Sequence, residues 1–391
     1  MSSALLFVGL AAAAFVGFNV GGSSTGVAWG PAVGAGVTKK TTAAALMSVF
    51  VLLGGWTVGR NVVETLGSGI VAPSAFTLEA SIVVLAFIGL GMAVANGYGV
   101  PISTSMTAVG AIAGLGIATH TLDWAVLGEI VVWWLVAPVA GFWCGAVVGR
   151  YLYVRLQRAV AIEQSDGALV VLDRSGALPV PALGPGTTPR EVASTALVVV
   201  VACYMSFSAG ASNVANAVAP LVGGGLLDPG PAVVLAAAAI GVGAFTIARR
   251  TMASVGSELT DLPLLAAMVV TVVAATITTA ASWLGIPISL ALSTVMTIVG
   301  LGWGRASRTA TAADLARGDV EGGVSVSAVA VGADDGVSEI GGAPDDDLGD
   351  AAALFDSSTV ARFVSFWILG PSAATVLSYL AFSALPVAGT P

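Results

Sequence analysis

An all-α, polytopic membrane fold is what this sequence predicts, and three observations carry the prediction. The chain is 57 % hydrophobic and only 9 % charged, with a mean hydropathy of +0.96, whereas soluble domains carry about 25 % charged residues. Uncharged stretches recur along its length, each near the ~20 residues that a helix needs to cross a hydrocarbon layer. One stretch also reappears later in the chain in the same register, so the architecture is built twice.

Apolar runs and their Gly, Pro and charged breakers delimit about ten segments, near 3–30, 41–59, 77–95, 98–118, 124–149, 191–219, 231–248, 262–284, 286–303 and 358–386. The first reads as a membrane segment rather than a cleaved signal, because no basic residue precedes it and it leads straight into the repeated stretch. The predicted organisation is a first membrane repeat at 1–149, a linker at 150–190, the main part of a second repeat at 191–303, an acidic loop at 304–357 and a last segment at 358–391. Neither polar stretch is long enough for a sizeable domain. Within them, 168–172 and 324–331 are the candidates for a short strand pair.

Half of the acidic residues crowd into 314–356, so the net charge of −8 describes one loop and points to no nucleic-acid partner. The basic residues set the orientation, because cytoplasmic loops carry the Lys and Arg excess. Lys39 and Lys40, then Arg150, Arg155, Arg158, Arg174 and Arg190, then Arg249 and Arg250, then Arg305, Arg308 and Arg317 all fall in loops separated by an even number of crossings. Only Arg60 falls on the other side. Both termini are therefore expected outside the cell membrane and both long loops in the cytoplasm.

In one ungapped register Gly21, Ser23, Pro31, Gly34, Gly36, Gly54, Thr57 and Arg60 meet Gly210, Ser212, Pro220, Gly223, Gly225, Gly243, Thr246 and Arg249. Further on, Pro101-Ile102-Ser103 answers Pro287-Ile288-Ser289. Five segments per half place the second half upside down relative to the first, an inverted repeat of the kind found in secondary transporters. The inversion also explains Arg60, which the repeat pairs with the cytoplasmic Arg249.

A membrane helix interrupted by Gly and Pro is tolerated only where protein or a water-filled cavity surrounds it. Two such places recur in both halves: 17–36 with 210–225, and 97–107 with 285–293. Both are rich in hydroxyls and amides: Ser23 and Ser24; Ser103, Thr104, Ser105 and Thr107; Ser212, Asn213 and Asn216; Ser289 and Ser293. Broken helices offer free N–H groups at half-helix N-termini, where dipole and donors favour an oxyanion. Close helix packing through small residues is the competing reading for any single Ser or Gly.

Other residues carry less. Cys144 and Cys203 read as buried, inert thiols, and His120, beside Asp123, as a loop residue. Trp133 and Trp134 read as lipid or packing contacts, and Trp56, Trp124, Trp283 and Trp303 as interfacial anchors. Glu129 lies about one turn into the fifth segment, where a charge is costly, and reads either as interfacial or as a proton-coupling group.

The motif 210–217, Gly-Ala-Ser-Asn-Val-Ala-Asn-Ala, resembles the second-half GANDxAN signature of the PiT family of inorganic phosphate transporters. The stretch 21–28 resembles a degraded first-half copy, 101–107 is similar to that family's PVSTTHT motif, and 287–289 to its second copy. The resemblance implies a secondary transporter with phosphate as substrate and sodium or a proton as coupling ion. It also implies substrate contacts at Ser23, Ser24, Ser103, Thr104, Ser105, Ser212, Asn213, Asn216 and Ser289, and cation coupling at Asn213, Asn216, Asn19 and Glu129. The departures are as informative. Ser23 and Ser24 stand where the first-half Asn-Asp pair is expected, Val27 where the later Asn is, and Ser212 and Asn213 where the second pair is. Met106 and Leu292 replace the motif histidines, and Leu290 and Ala291 replace hydroxyls. Losing two carboxylates eases anion binding and weakens a sodium site, which needs hard oxygen ligands.

The expectation is therefore an oxyanion transporter working by alternating access, with phosphate first and sulfate or another anion as the alternative. Its partners are the anion, the lipid bilayer and, left open, a further copy of the chain; no resident cofactor or metal is expected. A membrane enzyme lacks support from any Ser-His-Asp set or metal-ligand cluster in the sequence. The remaining rival is a degenerate repeat protein that serves as a sensor or assembly partner.

Overall fold

The structure is a computed structural model that describes residues 3–97, 103–160, 170–173, 180–184, 187–248, 263–307 and 357–384. Helices dominate it, because a backbone in hydrocarbon has to satisfy its own N–H and C=O groups. The first half comprises α1 (Ser3–Gly34), α2 (Lys40–Thr57), α3 (Gly59–Glu64), α4 (Leu78–Gly97), α5 (Thr104–Ala118) and α6 (Trp124–Val147). A π-helical turn carries α6 on into α7 (Tyr153–Ala159). A small antiparallel hairpin, β1 (Val170–Asp173) with β2 (Val180–Leu183), leads to the second half. That half comprises α8 (Pro189–Gly223), α9 (Pro229–Phe245), α10 (Leu264–Trp283), α11 (Leu290–Ala306) and α12 (Ser357–Ala384).

Among the described residues six helices are long and apolar enough to cross a membrane, and a seventh span joins α2 to the helix running on to Gly69 through a 63° bend. Three shorter apolar helices, α5, α9 and α11, complete the correspondence with the ten predicted segments. Small residues fill the interior while large ones face outward: Ala211, Ala215 and Ala274 are inaccessible, whereas Leu135 is 67 % and Leu90 57 % exposed. An apolar exterior of this kind needs lipid around it.

The structure corrects two readings of the sequence and adds a local strand pairing. The glycine-rich stretches 17–36 and 210–225 are not interrupted; α1 and α8 run through them to Gly34 and Gly223. Residues 170–173 pair with the nearby 180–183, a local hairpin that closes a short loop, and the other predicted strand, 324–331, lies outside the described residues. Cys144 is exposed on the lipid side of α6, whereas Cys203 is buried as expected. In addition, the helix begun at Trp124 extends to Ala159, well past the linker boundary drawn at 150.

What the glycines do instead is bring backbones together. A methyl group on Gly210 would overlap the Val51 carbonyl, and one on Gly21 the Ile240 carbonyl; one on Gly54 would overlap the Phe207 carbonyl, and one on Gly243 the Phe18 carbonyl. The repeat register maps Gly21 onto Gly210, Phe18 onto Phe207, Val51 onto Ile240 and Gly54 onto Gly243. The contact of α2 with α8 is thus the contact of α9 with α1 with the halves exchanged. Two further helix pairs, α6 with α11 and α5 with α12, follow the same rule. Gly300 of α11 abuts the carbonyl of Phe142, four residues after Pro138 of α6, and Gly114 of α5 abuts that of Thr375, four residues after Pro371 of α12.

Two helical hairpins enter this bundle from opposite ends. The α4–α5 hairpin begins and ends beside the start of α6: Val71 bridges to Leu122, and the Asp123 N–H donates to the Ile70 carbonyl at 2.9 Å. The α10–α11 hairpin begins and ends at the other extremity of that long helix, where Leu265, Ala266 and Leu301 pack with Tyr153. The starts of α5 and α11 both reach the middle of α8.

Candidate functional site

At the tip of the α10–α11 hairpin the chain leaves helical geometry for a few residues. Gly285 takes a φ of +79°, open to glycine at no steric cost, and Pro287 follows. Trp134 of α6 holds this turn by donating its indole N–H to the Pro287 carbonyl at 2.9 Å. Each following helix is then capped by the repeated serine: Ser103 Oγ accepts from the Met106 N–H at 3.3 Å, and Ser289 Oγ from the Leu292 N–H at 3.2 Å. The N-termini of α5 and α11 therefore meet, and the first amides of each helix have no intrahelical acceptor.

Between them lies a cavity of about 50 Å³, lined by Ser23, Ser24 and Val27 of α1, Ser103, Thr104 and Ser105 at the start of α5, Asn213 of α8, and Ser289, Leu290 and Ala291 at the start of α11. A single water needs about 10–15 Å³ of such space, so the cavity matches a small inorganic ion and not an organic substrate. Among the described residues no charged side chain lines it. Two helix N-termini supply the positive potential instead, through dipoles and free amides.

Seven of the nine substrate-contact candidates, Ser23, Ser24, Ser103, Thr104, Ser105, Asn213 and Ser289, share this cavity. Ser212 and Asn216 stand behind it. Ser212 Oγ donates to the Ile288 carbonyl at 3.1 Å, and Asn216 Nδ2 donates to Ser105 Oγ at 3.0 Å and to Asn213 Oδ1 at 3.2 Å. Both side chains tie α8 to the hairpin tips. Of the cation candidates, Asn19 is buried beside Asn96, whose Nδ2 donates to its Oδ1 at 3.2 Å, and Glu129 is exposed on α6, outside the cavity lining. Trp134, read from the sequence as a lipid or packing contact, holds the turn of the site, and Asn96, which the sequence did not single out, partners Asn19. The signal for Trp134 is that a half-buried indole N–H seeks an acceptor.

A family model described as the phosphate transporter family matches residues 20–378. The chain belongs to that family. Among relatives in the phosphate transporter family, the sulfate permease CysP of Bacillus subtilis (strain 168) is 30 % identical over 290 residues, covering 74 % of each chain. A candidate phosphate permease of Pyrococcus furiosus is 26 % identical over 365 residues, covering 77 % of this chain and 86 % of its own. A solved structure, a sodium-dependent phosphate transporter, superposes with a TM-score of 0.66 at 18 % identity, covering 97 % of this chain and 98 % of that one. The fold is thus the fold of that transporter, and the chain is a multi-pass membrane protein.

Proposed function

We propose that this protein is a secondary transporter that carries a tetrahedral inorganic oxyanion of the phosphate and sulfate class by alternating access around the central cavity. One observation carries the reading: two serine-capped helix N-termini converge from opposite ends of the bundle on a small, uncharged, hydroxyl-lined cavity. Phosphate is the anion of the family's name, and sulfate is the anion named for the Bacillus subtilis relative.

The exchanged packing of the halves and the opposite openings of the two hairpins support an inverted repeat, in which α4–α5 and α10–α11 are re-entrant. Rocking one half against the other then exposes the cavity to each face in turn. The Tyr153 end is the cytoplasmic one in this reading. Arg305 stacks there on the Tyr153 ring at 4.6 Å, Arg190 Nη2 donates to the Arg158 carbonyl at 3.0 Å, and Arg150 donates to the Ser307 carbonyl, so basic residues collect on one face. Both termini then lie outside the cell.

For a coupling cation, the Asn216 side-chain Oδ1 is buried and has no hydrogen-bond partner among the described residues. It is one hard oxygen where the family signature would add carboxylates. Ser24→Asp together with Asn213→Asp should steepen the dependence of uptake on sodium if a cation pocket persists there, and an unaltered sodium response counts against it. The function itself is tested by uptake of radiolabelled phosphate and sulfate into vesicles holding the purified protein, with and without a sodium or proton gradient. Saturable accumulation is expected; no uptake of either anion returns the chain to the sensor or assembly reading.

A further inference from the structure

We infer that the cavity selects oxyanions by their protonation state, taking fully deprotonated tetrahedral dianions such as sulfate in preference to phosphate, which keeps at least one proton near neutral pH. This rests on the oxyanion reading above. The selection follows from which polar atoms around the cavity are already used, since each hydroxyl has one proton to give and an amide presents one accepting and one donating end.

The accepting ends are largely taken. Ser103 and Ser289 spend accepting capacity on the Met106 and Leu292 amides, which leaves their hydroxyl protons to offer. Asn213 Oδ1 accepts from Asn216, which leaves Nδ2 to offer. Ser105 accepts from Asn216 and, because Ser212 already gives its proton to the Ile288 carbonyl, donates across the 3.3 Å contact to Ser212. The Thr104 hydroxyl donates to Met92 Sδ at 3.2 Å and the Ser23 hydroxyl to the Val20 carbonyl at 3.2 Å, so these two oxygens remain as acceptors. Ser24, buried in the lining, has a hydroxyl with no partner among the described residues. Around it stand the first amides of α5 and α11. What faces a ligand is an excess of donors, the Ser23 and Thr104 oxygens being the accepting exceptions, with no carboxylate among the described lining residues to accept a proton.

A bare dianion has only acceptors and can engage every donor at once. Protonated phosphate brings a donor of its own into the same space. The Ser23 and Thr104 oxygens aside, a group that receives it, such as the Ser24 hydroxyl, has to turn its proton away from the anion, so a P–OH leaves fewer donors engaged than a bare oxygen does. Mismatched buried polar groups are the strongest basis for discrimination between ligands of one shape, and a preference of at least about tenfold follows. The serine at 24 and the asparagine at 213 stand where carboxylates are expected from the family signature. The same two positions therefore set the preference.

The test is competition against radiolabelled sulfate uptake in vesicles containing the full chain. Selenate, bare like sulfate, should compete at least about tenfold better than phosphate or arsenate, which separates protonation from size. Raising the pH from about 6 to about 8 strips a proton from phosphate; its competition should improve while that of selenate stays level. Asn213→Asp should turn the order towards phosphate and arsenate, with Ser24→Asp as the second variant should the first fail to fold. Phosphate and arsenate competing as well as selenate in the wild-type protein, at either pH, overturns the inference and leaves the oxyanion reading standing. Absence of uptake for all four anions overturns both.

Discussion

Oxyanion uptake by the Ser103→Ala, Thr104→Val double variant falls to the level of empty vesicles. The weight of the effect falls on Ser103, since the Thr104 hydroxyl is engaged by Met92 Sδ. A hydrogen bond to a charged group contributes about 1.5–3 kcal/mol, which is roughly one to two decades of affinity from Ser103 alone. The serine also caps α5, and alanine at a cap costs about 0.5–2 kcal/mol of helix stability. Ser103→Gly separates the two roles, because glycine at a cap loses only a few tenths. Its yield and unfolding temperature should match those of the wild type, while its uptake is lost with that of the double variant. Full activity in the double variant removes the anion from this turn.

Gly54→Val and Gly243→Val destabilise the protein by similar amounts, at least about 3 kcal/mol each, at the upper end of what overpacking costs. The reason is that the obstructing atoms are backbone carbonyls, of Phe207 and Phe18, and cannot rotate away as side chains can. Equality of the two effects is the sharper part, since the positions are counterparts in the repeat. Gly128→Ala is the control: a methyl group at that position would meet no atom within 4 Å, so the change should be neutral. Thermal unfolding in detergent measures all three. A stable Gly54→Val, or a large gap between the two valine variants, contradicts the exchanged packing.

Much of this architecture is legible in the sequence because membranes simplify the code. Long apolar runs place α1, α4, α6, α8 and α10, and the repeated Pro-Ile-Ser places the starts of α5 and α11. The serines are legible too, since hydroxyls clustered beside Pro and Gly have few other uses in hydrocarbon. Glycine is the ambiguous letter. In a water-soluble helix Gly21 and Gly210 would count as breakers; in lipid, where an unpaired backbone is prohibitive, they keep the helix and permit close approach. Both meanings share one residue type, and only the partner carbonyls of Ile240 and Val51 distinguish them. Ser212 and Asn216 show a related limit. Helical spacing places them beside Asn213 on α8, but which side chain faces the cavity depends on the helix's rotation against the hairpin tips.

Trp134 and Asn96 are hidden for another reason. Each acts through a contact distant in sequence, with Pro287 and Asn19, and no local pattern announces it. The 170–173 strand has a partner nearer in the chain than a search for two similar apolar runs suggests.

Accessibility of single cysteines tests the account most directly, in a background carrying Cys144→Ala and Cys203→Ala. Ser74, exposed where the α4–α5 hairpin begins, and Pro263, exposed where the α10–α11 hairpin begins, are the positions to label. In intact cells a membrane-impermeant maleimide should reach Ser74→Cys at once and Pro263→Cys only after permeabilisation. Labelling of both from the same side would mean that the hairpins enter from one face, and the inverted, alternating site could not exist.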